Sequence, residues 1–181
     1  MMMDRTKGIG GSDARRVWHG DWINLWNEKL GNVEPEDLSF VLPVQIGIAT
    51  EKLNLDFTEK TLGMKIDRDV ELPQDGFMMS HLDGLIQKTD KNNRIIVEAK
   101  HTHGNNNLEK CAEYYYPQLQ HYMLHAKADE IYLSVIFGNE RHEYTSIEID
   151  HEFCKELYKR EAAFWKFVET KTEPVGFEDL I

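Results

Sequence analysis

The sequence predicts an α/β fold in which helices flank a mixed central β-sheet, and two observations support this class. Apolar residues recur at helical spacing in the first third of the chain, as Ile46, Ala49, Leu53 and Phe57 show before the stop signal Gly63. Short runs of β-branched and aromatic residues follow, bounded by turn residues and interrupted by one helical stretch. Helices before a β-meander, followed by a crossover helix and more strands, are typical of helices packed on a mixed sheet.

Each predicted element has a local signal. Ser12 can cap the first helix, and Gly31 and Gly63 can end the next two. Pro117 would bend the fourth helix or delay its start, and Gly138 lies in a two-residue hairpin turn. The predicted helices are 12–18, 24–30, 45–62, 108–126 and 153–168, and the predicted strands are 65–72, 77–87, 94–100, 130–137 and 144–149.

Composition limits the domain organisation and the compartment. A chain of 181 residues is predicted to form one domain over 1–181, large enough for a single core. No apolar run approaches membrane-spanning length, and the first residues lack the features of a signal peptide, so we expect no membrane segment. Cys111 and Cys154 are too few and too far apart for a disulfide framework, so both are expected to be small buried or half-buried side chains. The expected location is a reducing cytoplasm, that of a bacterial host if the chain is phage-encoded.

The net charge of −11 argues against the simplest nucleic-acid binder, which would present a basic face. The acidic residues concentrate in the 33–38 loop and in the last helix. Five basic residues lie near the motifs described below: Arg5, Lys7, Arg15, Arg16 and Lys100. The balance favours a locally basic site on an acidic body.

The most informative motif joins Asp83 to Glu98-Ala99-Lys100, across a polar turn at 88–94 that favours a hairpin. Because side chains alternate along a strand, Glu98 and Lys100 point the same way and Ala99 points back into the fold. Strand pairing would bring Asp83 beside them. Two carboxylates could then share a divalent cation, with Lys100 close enough to steady a nearby anion. Hard oxygen ligands suit Mg²⁺ or Mn²⁺ better than Zn²⁺, so the pattern indicates a metal-dependent phosphodiesterase site.

A solvated strand edge is the alternative interpretation, since most charged residues in strands have that role. The run Ile95-Ile96-Val97 favours the site, because it puts the charges at the mouth of a buried strand. His101 and His103 follow with alternate spacing, and no third Zn²⁺ ligand is evident. They are interpreted as residues at the edge of a groove.

Other short motifs are spread over nearly the whole chain. They are Arg-Thr-Lys-Gly-Ile-Gly-Gly-Ser-Asp-Ala at 5–14, Leu-Trp-Asn-Glu-Lys-Leu-Gly at 25–31, Gly-Ile-Ala-Thr-Glu at 47–51, Tyr-Pro-Gln-Leu-Gln-His-Tyr at 116–122 and Phe164-Trp165. Together with Asp83 and Glu98-Ala99-Lys100, they resemble the PD-(D/E)XK nuclease superfamily and, more closely, the phage recombination exonucleases of the YqaJ and lambda-exonuclease type. One departure is Leu82, where that family usually has Pro. Asp83 carries the chemistry, so this departure removes no ligand.

The resemblance implies a restriction-endonuclease-like fold and a metal-dependent 5′-to-3′ exonuclease. Such an enzyme degrades one strand of linear double-stranded DNA and leaves 3′ single strands for recombination. The alternatives are a DNA endonuclease and a non-catalytic DNA-binding module of the same fold. An exonuclease with an iron–sulfur cluster would need Cys ligands that two isolated cysteines cannot supply.

The resemblance also implies a metal site and a lysine beside it. Asp83 and Glu98 would bind one or two Mg²⁺ or Mn²⁺ ions with the Ala99 carbonyl, and Glu51 would coordinate directly or through water. Lys100 would position the attacking water or stabilise the transition state. From its residue type alone, Glu51 would be an exposed helical carboxylate.

The remaining site residues are implied in the same way. Gln118 and Tyr122 share a helical face and would brace the metal ligands or the DNA, although a tyrosine on such a face is more often part of a core. Arg5 and Ser12 would bind the terminal phosphate of the DNA, through the bidentate geometry of arginine and donors at a helix N-terminus. From the pattern alone, Ser12 would be only a helix cap and Arg5 only a tail residue.

The family's assembly implies a homo-oligomer, with a trimeric ring as the first expectation. A ring could retain DNA by enclosing it. An acidic chain with a small basic surface would then not need strong electrostatic attraction to stay on its substrate. Trp18, Trp22 or Trp26 could anchor the interface, with at least one of them expected in the core instead. A single-strand annealing protein is a further expected partner.

Overall fold

A five-stranded mixed β-sheet forms the centre of the computed structural model, which describes residues 4–34, 36–87 and 94–177. The strands are β1 (Asp67–Glu71), β2 (His81–Gln87), β3 (Arg94–Thr102), β4 (Glu130–Phe137) and β5 (Arg141–Glu148). They lie side by side in chain order, and all neighbours are antiparallel except β3 and β4, which are parallel. A parallel pair needs a long crossover, and a helix between β3 and β4 supplies it. The predicted α/β class with a mixed sheet is confirmed.

Within the described residues, five α-helices and a short 3-10 helix at Arg5–Lys7 accompany the sheet. The α-helices are α1 (Gly11–Trp18), α2 (Trp22–Lys29), α3 (Leu42–Leu62), α4 (Leu108–Ala126) and α5 (His151–Thr170). Helix α3 begins three residues before its predicted start, because Pro43 in the first turn fits the fixed φ of a helix N-terminus. It ends at Gly63, whose φ of 63° is the left-handed conformation that glycine tolerates. Helix α4 passes through Pro117 and keeps its predicted bounds.

The prediction that Ser12 caps α1 is wrong. The N-cap is Gly10, and the Asp13 carboxylate reaches back to accept a hydrogen bond from its amide at 3.0 Å. Ser12 lies inside the first helical turn, where its hydroxyl accepts a hydrogen bond from Arg5. Asp13, at the third position of the helix, therefore supplies the side-chain hydrogen bond at this terminus, and Ser12 is available for a site.

The predicted strand 77–87 is also shorter than expected. Residues 77–79 lie outside β2 and pair instead with the segment around Ile9, whose amide donates to the Phe77 carbonyl at 2.7 Å. The Met79 amide in turn donates to the Ile9 carbonyl at 2.9 Å. These contacts hold the start of the chain beside the beginning of β2. Most of the predicted polar turn at 88–94 lies outside the described residues.

Apolar packing is divided between two sides of the sheet and a helical cluster. Leu119 and Met123 of α4 pack against inward-facing strand residues on one side, and Leu55 of α3 packs against the other side. The helical cluster joins α1, α2 and α5 around Trp22, which is fully buried and meets Phe164 edge-to-face at 5.6 Å between ring centroids. Trp22 is therefore a core residue, whereas Trp18 and Trp26 are partly buried against the same cluster.

Both cysteines are free and buried, as the sequence predicted. Among the described residues, no helix has the length and apolarity that crossing a bilayer requires.

A buried ion pair links α4, α5 and the 77–79 segment. His121 Nδ1 lies 2.8 Å from Glu161 Oε1, and His121 Nε2 lies 3.1 Å from the Met79 carbonyl oxygen. Burial disfavours the charged imidazole, but the facing Glu161 carboxylate outweighs it and raises the pKa of His121. Since both ring nitrogens face oxygen acceptors, His121 carries two protons and donates to both. The second oxygen of Glu161 is buried, and no described residue forms a hydrogen bond with it.

Replacing Glu161 with Ala should lower the free energy of unfolding by about 3–5 kcal/mol, because it leaves the His121 charge buried without its counter-ion. Urea unfolding at neutral pH measures the loss. Glu156→Ala on the same helix is the matched control. Its carboxylate pairs with Arg160 at 3.2 Å near the surface, and its loss should cost about 1 kcal/mol or less. Similar small losses for both variants would contradict a charged His121.

Candidate active site

Asp83 and Glu98 meet where β2 and β3 run side by side. Gly84 pairs with Val97 in this antiparallel ladder, and one step further along the two strands brings Asp83 opposite Glu98. The Asp83 Oδ2 atom accepts a hydrogen bond from the Ala99 amide at 2.9 Å. The sequence-predicted juxtaposition of Asp83 with Glu98-Ala99-Lys100 is therefore present.

Glu98 is the most constrained side chain of the site, with 1% of its surface exposed. Its Oε1 atom accepts hydrogen bonds from Lys100 Nζ at 2.5 Å and from Gln118 Nε2 at 2.7 Å. Its Oε2 atom is buried and has no hydrogen-bond partner among the described residues. One carboxylate oxygen is thus fixed in direction, and the other is left open to a ligand.

The charges of the site perturb one another because they are withdrawn from water. Burial, followed by the negative charge of Asp83, raises the pKa of Glu98 to about 7. Burial also raises the pKa of Asp83, and burial together with Asp83 raises the pKa of Glu51. Burial would lower the pKa of Lys100, but the carboxylates of Glu98 and Asp83 outweigh it and raise that pKa. Burial and mutual repulsion disfavour the charged forms of these carboxylates, and a cation bound beside them would stabilise those forms.

Glu51 projects from α3 into the same region. It lines a cavity of about 200 Å³ together with Asp83, Ala99 and Lys100. Within residues 4–34, 36–87 and 94–177, no three His, Cys, Asp or Glu side chains stand close enough together to form a metal-binding group. Glu51 therefore lies near the Asp83–Glu98 pair, but the three carboxylates are not close enough together to form a metal-binding group.

The donor set nevertheless fits a hard divalent cation. The atoms that could bind it are the carboxylate oxygens of Asp83 and Glu98 and the Ala99 carbonyl oxygen, and Mg²⁺ and Mn²⁺ prefer such oxygens. The open Oε2 atom of Glu98 is a buried acceptor that lacks a donor, and such an atom is costly unless a ligand binds it. His101 lines the same cavity as Glu51 and Lys100, and its Nδ1 atom lies 2.9 Å from the Thr50 hydroxyl. His103 lies exposed in the turn beyond β3.

Gln118 and Tyr122 come together on the buried face of α4, as their spacing predicted. Gln118 donates to the Tyr122 hydroxyl at 3.3 Å as well as to Glu98. Burial, followed by the charges of Glu98 and Asp83, raises the pKa of Tyr122 well above its ordinary value. Gln118 therefore orients the Glu98 carboxylate, and Tyr122 stays neutral beside it.

Asn54 is a residue of the site that the sequence prediction missed. Its amide donates to the Lys100 carbonyl at 2.9 Å and to the Ser134 carbonyl at 3.1 Å, and its Oδ1 atom accepts from the Ser134 hydroxyl at 2.6 Å. Helix α3 buries only Asn54, Leu55 and Thr58, so this polar contact is a large part of what docks the helix on the sheet. Asn54 thereby fixes Glu51, one turn earlier on α3, relative to Lys100. The predicted apolar face of α3, formed by Ile46, Ala49, Leu53 and Phe57, is exposed in the structure. The helix instead packs through the face that carries Asn54, so the apolar spacing held no signal for this residue.

Arg5 and Ser12 form a second cavity next to the carboxylates. Arg5 Nη2 donates to the Ser12 hydroxyl at 2.6 Å and lies 3.3 Å from Asp13 Oδ1. The cavity has a volume of about 350 Å³, and its lining includes Tyr122 and His81. Gly11 is required here, because a Cβ atom at that position would lie 2.5 Å from the Tyr122 ring. Tyr122 thus stands between the Arg5–Ser12 cavity and Gln118, which holds Glu98.

The electrostatic balance of this second cavity depends on a buried lysine. Lys29 Nζ lies 2.6 Å from Asp13 Oδ2 and donates to the Arg5 carbonyl at 2.5 Å. Burial lowers the pKa of Lys29, although the Asp13 carboxylate opposes that change. Lys29 offsets the negative charge of Asp13, so the positive charge of the Arg5 guanidinium can still attract an anion from outside the protein.

Comparisons with known proteins place the chain in a family. Residues 2–129 match the model of the YqaJ-like viral recombinase domain. The uncharacterized protein YqaJ of Bacillus subtilis (strain 168) is 29% identical over 177 residues, and the match covers 91% of this chain and 54% of that protein. The chain therefore spans about half the length of this curated relative.

Solved structures show the same fold at low sequence identity. LHK-Exo in complex with dAMP superimposes with a TM-score of 0.74 at 16% identity, covering 97% of this chain and 95% of that chain. The alkaline exonuclease LHK-Exo from Laribacter hongkongensis gives a TM-score of 0.71 at 16% identity with the same coverage. A phage-related exonuclease from Haemophilus somnus 129PT gives 0.66 at 14% identity, covering 88% of this chain and 82% of that chain. On the strength of the match over residues 2–129, the chain belongs to the YqaJ-like viral recombinase domain family.

Proposed function

We propose that this protein is a metal-dependent deoxyribonuclease that degrades one strand of linear double-stranded DNA from its 5′ end. The product would be a duplex with 3′ single strands, the substrate of recombination. The observation that carries the proposal is the buried Glu98, which is held by Lys100 and Gln118 and has one oxygen open beside Asp83. The family and the exonuclease neighbours support a nuclease role.

Asp83, Glu98 and the Ala99 carbonyl would hold one or two Mg²⁺ or Mn²⁺ ions, with Glu51 coordinating directly or through water. When bound, such an ion lowers the pKa of a water molecule and neutralises charge on the phosphate and the leaving oxygen. The raised pKa of Glu98 agrees with this role, because a carboxylate that lacks compensation in the free protein gains most from a cation.

The other side chains of the site would orient the metal ligands and the DNA and stabilise the charge that develops on the phosphate. The Lys100 ammonium faces the cavity that Glu51 and Asp83 line, where it would steady the attacking water or the developing phosphate charge. Gln118 fixes one oxygen of Glu98 and so sets the direction of the other. The neutral Tyr122 hydroxyl would brace the DNA between the two cavities.

Arg5 and Ser12 would bind the terminal 5′ phosphate. The cavity that they line is open to solvent on one side and is separated from the carboxylates by Tyr122. A guanidinium fork and a hydroxyl together match the oxygens of a phosphate monoester. A pocket for the end of a strand beside a site for phosphodiester hydrolysis would favour attack near that end.

The proposal also covers the oligomeric state of the protein. We expect a homo-oligomer, with a trimeric ring first, because enclosure would keep a chain of net charge −11 on DNA without a large basic face. A single-strand annealing protein is the expected partner, and the host cytoplasm is the expected location. Light scattering at micromolar concentration distinguishes the ring from a monomer.

Asp83→Ala and Glu98→Ala should each abolish Mg²⁺-dependent cleavage of linear duplex DNA, because each removes a ligand. Lys100→Ala should be severely impaired and should still bind the metal. Glu152→Ala, at an exposed position of α5, is the control and should cleave normally. Gel assays on linear and closed circular DNA measure cleavage and also separate an exonuclease from an endonuclease. Near-normal cleavage by the Asp83 or Glu98 variant would refute the assignment.

Arg5→Ala should lose most of the preference for a 5′-phosphorylated duplex over a 5′-hydroxyl duplex. A charge-assisted bond to the phosphate is worth on the order of 1.5–3 kcal/mol, which corresponds to a discrimination of about tenfold or more. Initial rates on the two duplexes measure the preference. Lys7→Ala removes a nearby exposed charge and should retain it. Equal rates of the wild-type protein on both ends would refute the pocket.

A further inference from the structure

We propose that Arg15 is a phosphodiester-binding residue that contacts the DNA strand outside both the carboxylate site and the Arg5–Ser12 pocket. The inference rests on the proposed nuclease function and assigns a ligand to Arg15, one of the basic residues near the sequence motifs. The ligand group is an internal phosphate of a nucleic-acid strand, as distinct from its terminal phosphate.

Arg15 differs sharply from Arg16, its neighbour on α1. Arg16 is saturated by acids, with Nε 2.7 Å from Asp21 Oδ2 and its two terminal nitrogens donating to Glu28 at 2.6 and 2.9 Å. In the part of the chain that the structure describes, Arg15 makes no ion pair, and its Nε atom is buried without a hydrogen-bond partner. A buried guanidinium N–H without an acceptor is costly. The two terminal nitrogens of Arg15 are not buried and make no hydrogen bond in the described residues, so they can bind an anion from outside.

Two tyrosines of α4 connect Arg15 with Lys100. The Arg15 guanidinium carbon lies 4.4 Å from the centroid of the Tyr114 ring. Tyr114 meets Tyr115 edge-to-face at 4.9 Å, and Lys100 Nζ lies 5.0 Å from the Tyr115 ring centroid. Burial raises the pKa of Tyr115, whereas the charges of Lys100 and Arg15 both oppose that change. The two cations therefore act on the same aromatic pair, one from each side.

This arrangement suits a chain of phosphates better than a single small anion. Phosphates follow one another along a DNA strand at about 3.4 Å of helix rise per nucleotide. A strand with one phosphate at Lys100 therefore carries others along the tyrosine pair towards Arg15. Stacking on Tyr114 orients the guanidinium and leaves its edge free for bidentate hydrogen bonding to phosphate oxygens.

The acids of α4 do not compete for Arg15. Glu109 and Glu113 line a separate groove, which Thr145 and Ile147 of β5 complete. Tyr114 itself is 52% exposed, so the surface beside Arg15 is accessible to a strand. Arg15 is thus a cation without an acidic partner in the described residues, on an accessible aromatic surface that leads to Lys100.

Arg15→Gln and Arg16→Gln form a matched pair of variants, since they remove the same charge from adjacent positions of one helix. The experiment measures equilibrium binding of each variant and of the wild type to one short duplex, without divalent metal, from about 50 to 200 mM salt. Arg15→Gln should weaken binding about tenfold on duplexes of unrelated sequence and reduce the slope of log K against log salt concentration by about 1. Arg16→Gln should keep the wild-type slope.

Arg15→Lys and thermal unfolding separate binding from folding. The lysine variant retains the charge, so it should keep the slope of the wild type while losing part of the affinity. Thermal unfolding should change little in Arg15→Gln, because Arg15 makes no ion pair in the described residues and the contact that it loses is with the partly exposed Tyr114 ring. Wild-type affinity and slope in Arg15→Gln would overturn the proposal, and so would an equal reduction of the slope in Arg16→Gln. If the wild-type protein cleaves DNA while Arg15→Gln binds normally, only this inference fails; if the wild type cleaves nothing under any metal, the proposed function fails.

Discussion

The buried carboxylate of Glu98 is the constraint on which the rest of the site depends. A charge with 1% of its surface exposed needs compensation, and Lys100 and Gln118 compensate only one of its oxygens. Asp83 adds a second negative charge from the neighbouring strand, and the pKa of Glu98 rises to about 7 through burial first and Asp83 second. The hydrogen bonds from Lys100 and Gln118 hold the Glu98 side chain in place, and its second oxygen remains available to the cation that we propose.

The fold supplies that support from elements that are distant along the chain. Parallel pairing of β3 with β4 requires a crossover, and α4 provides it while carrying Gln118 and Tyr122 to Glu98. The polar contacts of Asn54 dock α3, so that Glu51 faces the pair from the other side. The His121–Glu161 pair fixes α4 against α5. The positions of the site residues are thus set by buried polar contacts together with apolar packing, and such contacts are directional.

Local patterns in the sequence were sufficient to predict the carboxylate pair. Alternation along β3 put Glu98 and Lys100 on one face, and the hairpin-like connection to β2 brought Asp83 beside them. The bounds of α4 and β4 were predicted correctly because both have strong periodicity and clear turn residues.

The contacts that the prediction missed join residues without any shared local pattern. Asn54 and Ser134 are 80 positions apart, and His121 and Glu161 are 40 apart. Ser12 was misassigned as a cap because Asp13, an equally good capping residue, stands next to it and reaches back to Gly10. Residues 77–79 have the composition of a strand, but Ile9 competes for their backbone groups. In each case a tertiary partner decided the outcome.

Calorimetric titration of the wild-type protein with Mg²⁺ as a function of pH tests the central claim most directly. Since the pKa of Glu98 is raised to about 7, the carboxyl is protonated below that pH in the free protein, and a cation must displace the proton. The account predicts weak binding at about pH 6 with release of roughly one proton per ion, and tighter binding without proton release at about pH 9. Asp83→Asn should bind far more weakly at both pH values. Binding that is independent of pH and unaffected by Asp83→Asn would contradict the account.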